Sequence, residues 1–277
     1  MSCAEMVPEI VAAFPEQFAA VEVLRDFARA NRPSVPPTPD EAGALILATY
    51  ARSSKTFNAS VRLAALGYGA QAGMLNRSLF EDMIVAHWIR RNPTMAPEMF
   101  ERHRRHTLEQ IREKASELGL KDEVATWTPL TDEERAELAA EYKGKQHWTQ
   151  RSLYELIKEV ETDWSDENSG SRMLWQVFDL VHRFNNLVLH HSFFGLGLTA
   201  EAKEDGVLWD VGPSPKHIHA ALQGAWFSYA HIVSLVVTGG ALDELTRLYS
   251  EHLPAFTKAR VERNDVYGKT LESSADE

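Results

Sequence analysis

Arg183, Asn186 and His190 follow one another at spacings of three and four residues. On a helix such positions share one side, because three or four residues make about one turn. A histidine is the side chain best suited to moving protons near neutral pH. An arginine two turns away can grip a phosphate or meet negative charge as it develops. The stripe therefore offers proton transfer beside an anion. The bland alternative is a His and an Asn that satisfy buried backbone or a neighbouring helix's carboxylate. His191 follows directly but points about 100° away. A second polar pair, Arg77 and Glu81, sits four residues apart. It reads either as an internal ion pair that fixes helix register or as half of a polar pocket.

Both sets lie on helices that must be buried. Gly73 to Arg91 carries Met74, Leu75, Leu79, Phe80, Met83, Ile84, Val85, Trp88 and Ile89 almost all round its axis. A helix that is apolar on every side belongs in a core. Residues 172–191 have the same character, with Met173, Leu174, Val177, Phe178, Val181 and Phe184. Each of these two helices needs the other's surface, and the pattern predicts that they pack together.

Other segments also show helical spacing. Residues 8–31 form one, with Pro15 predicted to kink it or to start its main part. NRPSVPPTPD at 31–40 reads as a stiff linker. Asp40 is a helix cap for 41–66, and Asn92-Pro93 ends the central helix. Further helices are expected over 94–118, over 131–143 behind the capping box Thr131–Glu134, over 151–161, over 214–237 and over 241–251. No strand of useful length alternates. The expected fold is all-α: one bundle of about seven to nine helices with an N-terminal helical appendage. The expected parts are 1–31 as that appendage, 32–40 as linker, 41–252 as the bundle and 253–277 as a tail.

The net charge of −11 argues against coating nucleic acid by general basicity. The main basic cluster, Arg90, Arg91, Arg102, Arg104, Arg105, Arg112 and Lys114, is interleaved with glutamates that pair along the helix. Glu98, Glu101, His103 and His106 could suggest a metal site, but the surrounding arginines disfavour one. Cys3 is the single cysteine, so neither an internal disulfide nor a cysteine metal site can form. No metal and no cofactor is expected. The N-terminus lacks a signal-peptide pattern and no stretch is long enough to span a bilayer, so a cytoplasmic protein without a membrane partner is expected.

Two resemblances follow from these residues. Asn76-Arg-Ser-Leu-Phe-Glu81, then Trp88-Ile89, Pro93, Trp148 and the Asn-His-His-Ser run of 186–192 together resemble a bacterial all-helical family known as a domain of unknown function. The likeness covers roughly residues 40–235. Arg183 and His190, with six residues between them, are also similar to the motif of the HEPN superfamily. Those are four-helix-bundle proteins of toxin and antiphage systems. That resemblance implies metal-independent RNA cleavage in a homodimer, with His190 aiding attack of the ribose 2′-OH and Arg183 on the scissile phosphate. Asn186, His191, Arg77 and Glu81 would support them. Phe184 departs from the polar residue common after that arginine. The alternative expectation is a non-catalytic helical module that binds a protein or small ligand.

Overall fold

Two prolines lay out the N-terminal helices. In the computed structural model, α1 runs Pro8–Ala13 and α2 runs Pro15–Ala30. Pro15 sits in the first turn of α2, where its missing N–H costs nothing, so the expected kink is a break between two helices. The structure describes residues 8–33, 40–120, 128–145, 147–161, 174, 178, 181, 200–203, 206–209 and 216–273; at 200–203, 206–209 and 258–273 the description is of backbone.

The chain continues through α3 (Glu41–Ala65), α4 (Gly69–Arg91), α5 (Met95–Glu117), α6 (Asp132–Glu141) and α7 (Leu153–Glu161). A two-stranded antiparallel hairpin, β1 (Ala200–Lys203) and β2 (Gly206–Trp209), comes next. Then follow α8 (Ile218–Ser234) and α9 (Gly240–Ser273). The fold is an all-α bundle, and the hairpin is its small exception among the described residues. Four residues per strand are too few to show alternation in the sequence, although Asp205-Gly206 carries turn chemistry.

α4 is the axis of the bundle. It packs on α3, α7 and α8, and Leu79, Phe80, Met83, Ile84 and Trp88 have no exposure at all. Burial on every side is what its apolar circumference requires. Gly69 opens α4 against the backbone of Lys216 and His217, which a Cβ there would strike. His217 is itself left-handed, with φ of 64°, as it turns into α8. Of residues 172–191 the described ones are Leu174, Phe178 and Val181, and Phe178 meets α4. Leu174 and Val181 are buried, and the rings of Phe178 and Phe80 lie 6.4 Å apart.

Two expected boundaries move. Residues 8–31 are not an appendage. Phe14, Phe18, Val21, Leu24 and Phe27 share one apolar cluster with α3, α4 and α8. An apolar stripe that regular has to be covered, and α8 and α9 cover it. The expected tail from 253 is likewise helical, because α9 passes through Pro254 and runs to Ser273. The chain just past that proline is anchored: Gln17 Nε2 donates to Ala255 O at 2.6 Å, His219 Nε2 lies 3.0 Å from Phe256 O, and Phe256 is fully buried.

α5 and α6 stand off from this bundle as an arm. Leu130, Leu138 and Tyr142 form a separate small cluster beneath α5. The expected capping box is present, with Thr131 and Glu134 each accepting from the other's backbone N–H.

Candidate functional site on the central helix

The polar groups of α4 fall into a buried set and a rim set. Asn76 and Asp82 are 1% exposed, whereas Arg77 and Glu81 are 28% and 38% exposed at the side chain. Arg77 Nε donates to Glu81 Oε1 at 3.0 Å, so the expected pair forms. Its expected burial does not hold, because the pair sits at the rim of the bundle. The carboxylate that α4 buries is the next one along, Asp82. Each member of the rim pair also takes part in further interactions.

Asp82 is held from α3. Ser53 Oγ donates to its Oδ2 at 2.8 Å, Arg52 Nε donates to the same oxygen at 3.1 Å, and Arg52 Nη2 pairs with Oδ1. Arg52 itself remains 71% exposed. One edge of its guanidinium is thus fixed by a buried carboxylate while most of the side chain stays in solvent. Asn76 has a different task. Its Oδ1 accepts from Ser60 Oγ at 2.7 Å and its Nδ2 donates to Ala221 O at 2.6 Å, which ties α3, α4 and α8 together.

His147 joins the rim from a turn. Gln150 N donates to His147 O at 2.9 Å, and Gln150 takes φ of 56°, a left-handed value that a non-glycine residue adopts only at some cost. Trp148 wedges between α4 and α5, its ring 5.7 Å from Trp88 and 5.5 Å from Phe100. That wedge brings His147 to the α4 face carrying Glu81. Thr149 N donates to His147 Nδ1 at 3.3 Å, and Thr149 Oγ1 lies 2.8 Å from the same nitrogen. An Nδ1 that accepts a backbone N–H carries no proton, so the neutral ring bears its proton on Nε2. Burial pushes the His147 pKa below the ordinary value. Glu81 opposes that shift, while His103 and Arg52 add to it.

The basic cluster of α5 is largely spent on the arm. Arg102 pairs with Glu137 and Glu141, Arg105 with Glu134, and Arg104 with Glu101. Arg112 and Arg135 converge on Glu109, whose pKa falls to about 2, chiefly through its hydrogen bond from Arg112. The pairing expected along α5 is therefore mainly pairing between α5 and α6. His103 and His106 both rest on the Tyr142 ring, at 5.0 and 5.5 Å. Among the described residues no three of His, Cys, Asp and Glu converge as a metal would need. No helix among them is long and apolar enough to cross a membrane.

Of the residues singled out in the sequence, the structure brings Arg77 and Glu81 together. Arg183, Asn186, His190 and His191 lie outside the described residues. Arg52, Asp82 and His147 were missed. The available signals were small: Asp82 adjoins Glu81, and His147 adjoins the Trp148 of the family pattern.

The architecture is that of an all-helical bundle whose central helix carries a polar rim. The chain belongs to the DUF5677 family, a family of unknown function, whose model matches residues 43–205, more than half of its length. That span begins in α3 and takes in the whole of α4, the arm and the turn of His147. Neither the curated proteins nor the solved structures gave a match.

Proposed function

We propose that this chain is a HEPN-like, metal-independent endoribonuclease of a bacterial defence or toxin-type system, working in the cytoplasm as a homodimer. The observation that carries the reading is the spacing of Arg183 and His190 in the sequence, a few residues beyond Phe178, whose ring lies beside Phe80 of α4. In the proposed step the ribose 2′-oxygen bonds to phosphorus while its proton passes to His190. The P–O5′ bond breaks and the 5′-oxygen leaves with a proton. Arg183 meets the charge on the phosphoryl oxygens. Products then end in a 2′,3′-cyclic phosphate and begin with a 5′-hydroxyl.

The test is cleavage of a panel of RNAs, transfer RNA included, in EDTA. Cyclic-phosphate products are expected, lost in His190→Ala and Arg183→Ala and retained better in His191→Ala. Uncut RNA, or undiminished cutting by His190→Ala, overturns the reading. A second reading, a non-catalytic module that binds a protein, has its own observation: Ile111, Leu118 and Leu120 are 47%, 65% and 51% exposed on and just beyond α5. Apolar groups gathered on a surface commonly mark an interface.

A further inference from the structure

We propose that the outer face of α5 is a self-association surface, on which two copies of this chain pair their α5 helices antiparallel about a two-fold axis between residues 114 and 115. The pairing does not depend on RNA cleavage.

The side chains that α5 spends on α6 are Arg102, Arg105 and Glu109. At roughly 100° per residue these share one side of the helix, and Phe100, Ile111 and Leu118 fall in a line on the other. The line starts under cover, because Phe100 stands edge-on to Trp148 at 5.5 Å. It ends bare, with Ile111 and Leu118 47% and 65% exposed. Gly119, with φ of 76°, then turns the chain back so that Leu120 N donates to Ala115 O at 2.7 Å. That helix cap holds Leu120, itself 51% exposed, beside Ala115. Three large apolar side chains in the open at one end of a helix mark a surface that is covered in use.

The stripe is complementary to a second copy of itself. Ile111 and Leu118 are two turns apart, with Ala115 between them. In the antiparallel register each Ile111 faces Leu118 of the second copy, and the two alanines meet near the axis, where small side chains let the backbones approach. Lys114 and Glu117 lie on one flank of the stripe, bonded to each other at 2.6 Å and 70% and 63% exposed. The same register brings Lys114 beside Glu117 of the second copy, and Glu117 beside its Lys114, so that four charges alternate. A parallel pair would set lysine against lysine.

Net charge favours this face as well. The whole chain carries −11, which pushes copies apart, whereas residues 104–118 hold four basic and three acidic side chains. Two helices in contact over a few turns bury less than the roughly 1,200 Å² of a stable complex, so the dimer is a weak one that forms as concentration rises.

The experiment is sedimentation equilibrium of the full chain from about 5 to about 500 µM, the range in which a micromolar association shows. The average mass should climb toward that of two chains. Ile111→Asp and Leu118→Asp should each weaken the pairing at least about tenfold, because a carboxylate would be desolvated in the contact. Both positions are open to solvent, so their circular dichroism should match that of the parent. Lys114→Glu should weaken the pairing about threefold. The register is read by disulfides in a Cys3→Ser background, where chains with Ile111→Cys are mixed with chains carrying Leu118→Cys. The mixed disulfide should dominate, because like cysteines lie about 10 Å apart along the axis, beyond the roughly 7 Å that a disulfide spans. A parent chain that stays monomeric throughout overturns the proposal and leaves the stripe to a different protein. A dimer indifferent to both aspartate variants, or mixed disulfides no more abundant than chance, overturns it too. RNA cutting is read in the same samples. Uncut RNA beside a dimer that Ile111→Asp dissolves sinks the nuclease and supports the surface, and cut RNA beside a lasting monomer does the reverse.

Discussion

The side-chain amide of Asn76 donates to the carbonyl of Ala221 at 2.6 Å, across a close approach of α4 and α8. The approach is close because Gly224, one turn on, has no side chain. A Cβ there would stand 3.2 Å from Asn76 Nδ2 and 3.3 Å from Val181. The same amide group takes the Ser60 hydroxyl on its oxygen, so one side chain joins three helices.

Replacing Asn76 by Ala should therefore lower stability by about 2–3 kcal/mol, from lost hydrogen bonds and the void left behind. Asn76→Asp should cost more, because a carboxylate would face the Ala221 carbonyl with no donor to offer. Urea unfolding followed by circular dichroism measures both. The ordering fails if the aspartate variant is the more stable of the two.

Asp82 should be worth more to the fold than Glu81. Removing Arg52 leaves a carboxylate that is 2% exposed at the side chain with Ser53 alone, and breaking a buried pair typically costs about 3–5 kcal/mol. Water entering where the exposed arginine stood places the expected loss toward the lower end. Glu81→Gln, at the half-exposed rim, should cost under about 1 kcal/mol. The double variant Arg52→Ala, Asp82→Asn should be less destabilised than the two single losses added, by at least about 1 kcal/mol. A purely additive cycle would mean that the two side chains do not communicate.

Acid should weaken the protein through two interior histidines. His87 on α4 and His231 on α8 face each other with ring centroids 6.3 Å apart, and Arg90 and Tyr249 border them. Burial pushes His87 down to about 4, helped by Arg90 and opposed by a backbone hydrogen bond at His231. Burial and His87 push His231 to about 3. Their folded pKa values lie below the ordinary 6.5, so the unfolded chain takes up protons first. Stability is whole above that value and declines from pH 6.5 toward pH 4, by about 3 kcal/mol for His87 alone. Urea midpoints at pH 7.5 and 5 should differ clearly, and His231→Phe should narrow the difference. Equal midpoints in the parent chain would refute the linkage.

How far the sequence could be read depended on how local each feature is. The position of α4 was legible because its apolar groups encircle it. The caps at Asp40 and Thr131 were legible because capping is settled within four residues. The Arg77–Glu81 pair was legible for the same reason, being one helical turn. Arg52 with Asp82 was not, since its partners come from two helices and nothing in the spacing joins them. The length of α9 was hidden by Pro254, a residue that ordinarily ends a helix, and its continuation follows from Gln17 and His219 gripping the backbone just beyond. His147 was overlooked because its orientation is set by a turn, through Thr149, rather than by periodicity.

The arm of α5 and α6 is fastened by a medium that the bundle hardly uses. Three apolar residues lie beneath it, against five arginines engaged with glutamates along and between its helices. Ionic strength should consequently act as a dial on one part of the molecule alone. Charges at such partly exposed positions are screened over about 8 Å at physiological salt and about 3 Å at 1 M, while apolar burial is not. In concentrated potassium chloride the amides of α6 should exchange faster with those of α4 unmoved, so a single chain would carry one arm that reads the salt around it and one core that does not.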